Sequence, residues 1–435
     1  MKVQTWLANS KKMSYFSSNS SNNSITSTTT SASFSDENST TTSSFLINAA
    51  EICTSPSAPF LVSGNIATLK TPTSQMISCL AVHQENNILY AASNNVINVY
   101  DLANNYSHID CFSYGSSNSN SSSGLIKSIA FDGNKIYTAH QDCKIRVWQQ
   151  QSNVEQCSSR HRLVSTMPTV KDRLRRCVLP KNYVQVRRQS SRQIKKLWIE
   201  HLDTVSGVAL SNGMMYTVSW DKCLKIWRMS DLTCLESIKA HTDAINAVIV
   251  SADGGVVYTA SADGEIKVWG TNTFKKGKKN DERKHNSVLL IASLEKHSSN
   301  INALALSSDG TLLFSGGSDK TILIWEKEDA DKHYMSLLRW SLSGHTSAIL
   351  CLNYVHSNEL LVSGSSDTTI RVWQREKMMD GYCCAAVFKG HSKPVKSLAV
   401  FANQEPEEEG EGNNVGVSIF SGTIDGEIKV WQLIR

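Results

Sequence analysis

The chain has 435 residues, a formal net charge of +5, 19% charged residues and 40% hydrophobic residues. No apolar run approaches the roughly 18 residues that span a bilayer, and the first residues lack the apolar segment of a secretory signal peptide. The 11 cysteines are odd in number and include no Cys-x-x-Cys pair. This pattern favours reduced thiols over a disulfide framework or a zinc site.

Residues 1–60 are predicted to form a disordered tail, because polar low-complexity segments cannot bury enough apolar surface to fold. Serine, threonine and asparagine dominate residues 14–44, and no acidic residue precedes Asp36. A Ser-rich, acid-poor segment is also typical of a plastid transit peptide, but this one lacks the usual arginines. The disordered tail is therefore the preferred interpretation.

A short pattern recurs along the rest of the chain: an aspartate, five residues, then a tryptophan. The residues between them alternate apolar and polar and are rich in β-branched side chains, which predicts a strand. Two more strand-like segments precede each aspartate, and the shortest spacing, from Trp227 to Trp269, is close to the roughly 40–45 residues of a four-stranded propeller blade. A degenerate copy has Asn94 and Tyr100, and the six clear copies are Asp142/Trp148, Asp221/Trp227, Asp263/Trp269, Asp319/Trp325, Asp367/Trp373 and Asp425/Trp431.

These copies resemble WD repeats, in which a Gly-His dipeptide opens the unit and a Trp-Asp dipeptide closes it. Gly344-His345 and Gly390-His391 keep the first dipeptide, whereas none of the six tryptophans is followed by aspartate. The resemblance covers roughly residues 62–435 and implies an all-β fold, a seven-bladed β-propeller over residues 61–435. Because Trp431 lies so near the C-terminus, we expect residues 65–70 to supply the outer strand of the last blade and to close the ring.

Five units also share a histidine, and a hydroxyl residue four positions before the aspartate. Such a set can form a catalytic triad, but an enzyme needs one site and not five alike. The resemblance implies a structural chain of hydrogen bonds from Asp to His, to Ser or Thr, and to the indole N–H of the Trp. The five sets are His201, Thr217, Asp221, Trp227; His241, Thr259, Asp263, Trp269; His297, Ser315, Asp319, Trp325; His345, Ser363, Asp367, Trp373; and His391, Ser421, Asp425, Trp431.

The first two units depart from this pattern. Unit two has Thr138, Asp142 and Trp148 but no histidine in the set, and unit one has lost all four residues. We expect these two blades to be the least stable. The sequence holds no phosphate-binding loop, dinucleotide fingerprint or metal-protease motif, so we expect no catalytic residue, no cofactor, no metal and no enzyme activity.

The long interval between Trp148 and Trp227 contains a basic insertion, predicted over residues 169–197. Residues 151–197 hold 12 Lys and Arg against Glu155 and Asp172, a local charge of +10, and Val170, Leu174 and Val178 recur at helical spacing. The insertion is either a solvated loop or a patch for nuclear import or an anionic partner. The predicted patch comprises Arg173, Arg175, Arg176, Arg187, Arg188, Arg192, Lys195 and Lys196.

Two further features concern regulation and flexibility. Ser190 follows Arg-Arg-Gln and is a candidate phosphorylation site, where a phosphate would offset up to two positive charges. An acidic loop over residues 403–414 interrupts the last unit and is predicted to be a flexible, solvated segment.

The turns that hold the repeat aspartates are predicted to share one face of the disc. Trp220 directly precedes Asp221, where the other units have smaller residues such as Gln141 and Ile424. A large aromatic side chain on an exposed turn is a candidate binding anchor, although Trp220 could instead pack against the insertion. We expect Asp203 and Asp243 to flank it, so the predicted binding residues are Trp220, Asp203, Asp243, Gln141 and Ile424.

These observations favour a non-enzymatic scaffold for protein–protein interactions. The segments 173–184 and 197–207 resemble a plant subfamily of WD-repeat proteins that includes the pollen-germination regulator JINGUBANG, which implies a signalling or developmental regulator. We expect protein partners, a monomer within a larger complex, no membrane span, and a cytoplasmic or nuclear location rather than a plastid one.

Two alternatives remain. A substrate receptor of a ubiquitin ligase often carries an arginine two residues after Trp-Asp, and Trp373-Gln374-Arg375 fits this poorly. A nucleic-acid-binding propeller could use the basic insertion, but few aromatic residues are present there to stack bases.

Overall fold

The computed structural model describes residues 61–71, 75–114, 124–151, 160–187, 193–270, 288–328, 334–355, 359–376, 381–402 and 416–434. The predicted tail over residues 1–60, the acidic loop over residues 403–414 and Ser190 lie outside these ranges. No helix within them is long and apolar enough to cross a bilayer.

The described strands form seven four-stranded antiparallel sheets and one separate hairpin. From the innermost strand outward, the first three blades are blade 1, with β2 (Ile77–His83), β3 (Ile88–Ser93), β4 (Val96–Asp101) and β5 (Ser107–Ser113); blade 2, with β6 (Ile126–Asp132), β7 (Lys135–His140), β8 (Ile145–Gln150) and β9 (His161–Met167); and blade 3, with β12 (Val205–Ser211), β13 (Met214–Ser219), β14 (Cys223–Arg228) and β15 (Thr233–Lys239).

The other four blades repeat this order. They are blade 4, with β16 (Ile245–Val250), β17 (Val256–Ser261), β18 (Glu265–Gly270) and β19 (Leu289–Glu295); blade 5, with β20 (Ile301–Leu306), β21 (Leu312–Gly317), β22 (Ile322–Glu326) and β23 (Leu337–Leu342); blade 6, with β24 (Ile349–Val355), β25 (Leu360–Ser365), β26 (Ile370–Glu376) and β27 (Gly381–Phe388); and blade 7, with β28 (Val395–Ala402), β29 (Val417–Thr423), β30 (Glu427–Ile434) and β1 (Leu61–Lys70).

The seven innermost strands form a closed ring in which each contacts the innermost strands of the two neighbouring blades. Strand β1 pairs antiparallel with β30, with Asn65 opposite Trp431 and Lys70 opposite Glu427. The predicted seven-bladed propeller and its closing N-terminal strand are therefore confirmed. Closure leaves the ring with no open end, which protects the strand edges.

The hydrophobic core lies between adjacent blades, so no blade can bury its faces alone. Strands such as β17 and β25 are buried along their whole length, because a neighbouring blade covers each of their faces. One cluster joins Phe420 and Ile428 of blade 7 to Ile77 and Leu89 of blade 1, across the point where the ring closes.

The insertion between blades 2 and 3 contains one helix and one hairpin. Helix α1 (Val170–Cys177) begins after Thr169, whose hydroxyl accepts the N–H of Asp172. The helix is followed by a 3-10 turn (Pro180–Asn182) and by the antiparallel strands β10 (Tyr183–Arg187) and β11 (Gln193–Leu197). Thr169 is a favoured N-cap residue, which explains where the helix begins.

Candidate functional site

The aspartate of each regular repeat lies in the tight turn between the second and third strands of its blade. In blade 3, Asp221 Oδ1 accepts the N–H of Cys223 at 2.9 Å and closes the turn over Lys222. Lys222 has a φ of 72°, a left-handed conformation that favours glycine, and glycine occupies this position in blades 4 and 7, as Gly264 and Gly426. The side chain of Asp221 thus stabilises a turn in which a non-glycine residue, Lys222, has a strained backbone conformation.

A chain of four side chains runs from this turn into each of blades 3 to 6. In blade 3, His201 Nδ1 lies 2.9 Å from Asp221 Oδ2, and His201 Nε2 lies 2.9 Å from Thr217 Oγ1. Trp227 Nε1–H donates to the same hydroxyl oxygen at 2.9 Å. The same three bonds, all between 2.8 and 3.0 Å, occur in His241, Asp263, Thr259 and Trp269; in His297, Asp319, Ser315 and Trp325; and in His345, Asp367, Ser363 and Trp373.

In blade 3 these contacts keep Asp221 ionised, and burial favours the neutral form of His201. Burial by itself would raise the pKa of Asp221, but the contacts with His201 and the N–H of Leu202 lower it to about 2. Burial lowers the pKa of His201, and Asp221 opposes this only in part. Both nitrogens of His201 are bonded, so its lone pair and its proton are already used and the set has no free general base.

Among the described residues, one group brings three possible metal ligands together. Ligand atoms of His241, Asp263 and Glu265 lie within 4.8 Å of one another. His241 is bonded to Asp263 through Nδ1 and to Thr259 through Nε2, which leaves no nitrogen lone pair for a metal. The group therefore belongs to the bonds that hold blade 4.

In blade 7 one of the five predicted hydrogen-bonded sets is incomplete. His391 Nε2 and Trp431 Nε1 both bond to Ser421 Oγ, at 2.6 and 2.8 Å, as in the regular blades. Asp425, however, makes no hydrogen bond to His391, so the prediction of a complete chain there is wrong. Its carboxylate instead accepts a hydrogen bond from the hydroxyl of Thr423, which turns it away from the histidine.

Blade 2 uses residues that the repeat pattern does not contain, and its aspartate and its histidine are not bonded to each other. His140 Nε2 lies 2.7 Å from Thr138 Oγ1, and Trp148 Nε1–H donates to this oxygen at 2.9 Å. Asp142 bonds to Arg146 at 2.5 Å, and Arg146 is only 1% exposed. The repeat histidine before the innermost strand is absent, as predicted, but the prediction missed His140 of β7, which bonds to Thr138 in its place. Strand alternation puts His140 on the same face as Thr138, and this signal could have found it.

Blade 1 has no chain of this kind. Ala91 takes the place of the hydroxyl residue and Tyr100 that of the tryptophan. A different buried group joins the outermost strands of blades 1 and 2: His161 Nδ1 lies 2.6 Å from Asp110 Oδ2, and Tyr90 OH lies 3.3 Å from His161 Nε2. No repeat spacing marks these residues, and sequence reasoning missed them.

Trp220 directly follows β13, in the turn between the second and third strands of blade 3, and lies next to the start of β12 on the face that the aspartate turns share. Its N–H donates to Thr204 O at 3.0 Å, just before β12, as the N–H of Gln141 does to Leu125 O at 2.9 Å, just before β6. The half-exposed Trp220 ring lies 5.1 Å from the Nζ of Lys127, the second residue of β6. Its described ring contact is therefore with blade 2 rather than with the basic insertion.

Burial lowers the pKa of Lys127 to about 8, and the positive charge of Lys396 adds to this effect. Lys396 is the second residue of β28, the innermost strand of blade 7. Lys127 and Lys396 thus occupy the same position in two innermost strands. At neutral pH the ammonium group beside Trp220 is still mostly protonated.

The other predicted binding residues are only partly brought together. Asp203 is exposed, and its carbonyl oxygen accepts from Ser219 Oγ, next to Trp220. Asp243 is exposed and lies 3.8 Å from Lys222 Nζ, in the turn that follows Trp220. Gln141 and Ile424 are also exposed. Gln141 belongs to the adjacent blade 2, but Ile424 belongs to blade 7, so blades 1 and 2 separate it from Trp220.

Some residues of the predicted basic patch form ion pairs within the protein, and others are exposed. Arg176 bonds to Asp172 at 2.9 Å, and Arg173 lies 3.2 Å from Glu200, so neither is a free cation. Arg175 and Lys195 are exposed, and Lys196 is half-buried. Arg188 and Arg192, and the side chain of Arg187, lie outside the described part of the chain.

Comparison with known proteins agrees with this geometry. Five segments match the sequence model of the WD domain, G-beta repeat: residues 63–101, 232–270, 289–326, 337–374 and 382–432. Similar curated proteins are the mitochondrial division protein 1 of Schizosaccharomyces pombe, 28% identical over 138 residues, and the CCR4-associated factor 4 homolog of Candida glabrata, 27% identical over 131 residues. Each alignment covers 29% of this chain, and the chain spans only 20% and 21% of the length of these two relatives.

The matched segments leave residues 102–231 unmatched, a region that includes blade 2 and the insertion. Blade 2 nevertheless has the same four-stranded order as the matched blades. The five matching segments and the seven blades together show that the chain contains WD40 repeats and has a seven-bladed propeller fold.

Proposed function

We propose that this WD40 propeller is a non-enzymatic scaffold that binds a segment of another protein on the face around Trp220. WD40 repeats imply a scaffold for protein–protein contacts. The observation that supports this particular site is the half-exposed Trp220 ring on the turn face, which lies over Lys127. Aromatic side chains of this kind carry much of the binding energy at protein interfaces.

The charges around Trp220 indicate what the partner segment presents. Asp203 and Asp243 are exposed carboxylates near the turn that holds Trp220, with Asp243 3.8 Å from Lys222 Nζ, while Lys127 already occupies one face of the indole ring. We propose that the partner contributes an apolar side chain to the indole and a Lys or Arg to the carboxylates. Such charge complementarity sets specificity and association rate more than affinity.

The process in which the scaffold acts is also a proposal. The resemblance of segments 173–184 and 197–207 to the JINGUBANG-containing plant subfamily supports a regulator of signalling or development, with pollen germination as its process. We propose that it acts in the cytosol or nucleus, as a monomer within a larger complex. Binding of nucleic acid by the insertion is less favoured, because Arg173 and Arg176 are engaged in ion pairs.

The test compares the proteins that co-purify from native cells with the wild type, with Trp220→Ala and with Trp340→Ala. Trp340 is a matched control, because it is also half-exposed and has a cation, Arg339, over its ring, 5.1 Å from the centroid. We expect a small set of partners to be lost from Trp220→Ala alone, since an interface tryptophan contributes about 2 kcal/mol or more. Identical partner lists for all three folded proteins would refute the proposed face.

A further inference from the structure

Helix α1 turns its apolar side away from the propeller. Val170, Leu174 and Val178, which we name the apolar stripe, follow one another at intervals of four residues and are 73%, 64% and 77% exposed. Leu179 and Val184, on the segments that follow the helix, extend the exposed apolar surface. A surface helix of a globular protein normally buries such a stripe against the core.

The opposite side of α1 is fixed by polar contacts with the edge of blade 3. Asp172 Oδ2 accepts the N–H of Cys234 at 3.3 Å, and Arg176 donates to Cys234 O at 2.8 Å. Arg176 also bonds to Asp172 and lies 4.6 Å from the centroid of the Trp198 ring. Because Cys234 lies on the outermost strand β15, this pair bonds to backbone groups on the edge of the sheet. These contacts prevent the helix from rotating its stripe inward.

The exposed surface around the stripe is cationic. Lys171, Arg175, Lys181 and Lys195 are exposed, and Asp172 is the one acidic residue within the described residues 160–187 and 193–199. Asp172 is buried and already paired with Arg176. Glu200, the next acidic residue along the chain, lies 3.2 Å from Arg173, so the exposed charges of the insertion beside the stripe are positive.

We propose that α1 docks the protein on an anionic lipid bilayer. In this arrangement the stripe inserts between lipid headgroups, and Lys171, Arg175 and the neighbouring lysines contact phosphatidylserine. An amphipathic helix with an apolar side and flanking cations lies in the membrane interface in this way. Helix α1 is already folded and held by blade 3, so docking does not require the ordering of a free peptide.

Two observations favour a bilayer over a protein groove as the occupant. The three stripe side chains protrude, which suits a fluid interface, whereas a partner helix needs grooves that accept its ridges. The exposed charged residues that flank the stripe on α1, Lys171 and Arg175, are both positive, and such cations attract an anionic lipid surface. This docking surface lies at the rim of the disc and is separate from Trp220, so the inference does not depend on the proposed function.

The test is co-sedimentation of the full chain with vesicles. The vesicles contain phosphatidylcholine with about 30% phosphatidylserine, a composition that gives an anionic surface, or phosphatidylcholine alone. We expect binding to the anionic vesicles only. Leu174→Asp is expected to reduce the affinity by about tenfold or more, since a buried leucine side chain contributes at least that factor. Arg175→Glu is expected to reduce it by more than tenfold, because each unit of charge near an anionic surface contributes about fivefold and this substitution changes the charge by two units.

Matched controls lie elsewhere on the molecule. Leu337→Asp changes an exposed leucine on the outermost strand of blade 5, and Lys135→Glu changes an exposed lysine of blade 2. Both are expected to bind as the wild type does. If circular dichroism shows that Leu174→Asp loses structure, Val178→Asp, just beyond the helix, replaces it as the test variant.

Several outcomes would overturn the inference. Wild-type protein that stays in the supernatant with anionic vesicles refutes it directly. Equal binding by Leu174→Asp and wild type means that bulk charge, and not the stripe, binds the lipid. A stripe variant that keeps vesicle binding but loses a stoichiometric protein complex assigns α1 to a protein interface instead.

Discussion

Blades 3 to 6 and blades 1 and 2 have the same strand order but are held by different polar contacts. In the regular blades, a histidine from the segment before the innermost strand bonds to both the aspartate turn and the hydroxyl residue. In blade 2, the histidine that bonds to the hydroxyl residue is His140, on the strand itself, and the aspartate bonds to Arg146. The fold therefore requires an acceptor for the buried indole and a partner for the aspartate, but not one fixed set of residues.

The two arrangements differ in what they tie together. His201 links the segment that leads into blade 3 to the turn that follows Trp220, because Asp221 Oδ2 also accepts the N–H of Leu202 at 2.8 Å. His140 comes from the second strand of blade 2, and its contact with the preceding segment is with the backbone of Gly124 and does not include the aspartate turn. In blades 3 to 6 the histidine thus joins the preceding segment to the aspartate turn, and Trp220 lies on the first of these turns.

Trp373→Ala is expected to have the largest effect on stability, because it removes a large buried ring and its hydrogen bond in a regular blade. Trp373 is 3% exposed and donates to Ser363 Oγ at 2.8 Å. Loss of the ring should lower the free energy of unfolding by roughly 3–5 kcal/mol, as for other large-to-small core changes. Chemical denaturation measures the difference, and a variant that unfolds as the wild type does would contradict the structural role of this chain.

Tyr100→Phe in blade 1 is the control for Trp373→Ala, because Tyr100 takes the place of the tryptophan in that blade. The hydroxyl of Tyr100 is buried and has no hydrogen-bond partner among the described residues. Its removal leaves the ring in place and relieves an unsatisfied polar group, so stability should stay the same or rise slightly.

Asp142→Ala tests the substitute contact of blade 2. The change leaves the guanidinium of the buried Arg146 without its carboxylate, which should cost about 3 kcal/mol, since an uncompensated buried charge is strongly destabilising. Asp425→Ala in blade 7 is the control and should cost less than about 1 kcal/mol, because Asp425 is exposed and does not bond to His391. Thermal or denaturant unfolding gives both values.

A double variant separates the lost charge from the lost contact. Asp142→Ala combined with Arg146→Met removes the ion pair as a whole, and it should recover much of the stability that Asp142→Ala loses. Failure of the double variant to recover any stability would mean that the pair is needed for packing rather than for charge compensation.

The repeat pattern predicts those parts of the molecule in which the same set of side-chain contacts recurs from blade to blade. Six aspartate–tryptophan pairs in a single register, a degenerate seventh copy and the resemblance to WD repeats together predicted the seven blades and the closing strand β1. Contacts that occur once leave no periodic signal, and so Arg146 and the Asp110–His161 pair were missed. The helical spacing of Val170, Leu174 and Val178 predicted α1, but not the direction that it faces. That direction depends on Cys234, which lies far away in the sequence and bonds through its backbone.

The last prediction concerns pH and sharpens the contrast between blade 2 and the regular blades. Burial, together with the charge of Arg146, lowers the pKa of His140 from its ordinary value of 6.5 to about 3. The unfolded chain therefore binds a proton more readily than the folded protein between these values, so stability is lost as the pH falls below about 6.5. At pH 5 the loss from this histidine should be on the order of 2 kcal/mol, since one pKa unit corresponds to about 1.4 kcal/mol.

His140→Gln removes this titration while keeping a side chain that can bond to Thr138. The variant should be less stable than the wild type at pH 7, but the stability that it loses between pH 7 and pH 5 should be smaller by about 2 kcal/mol. Melting curves at both pH values decide the matter. If wild type and His140→Gln lose equal stability, acid acts on other groups, and His140 is not the pH-sensitive element of blade 2.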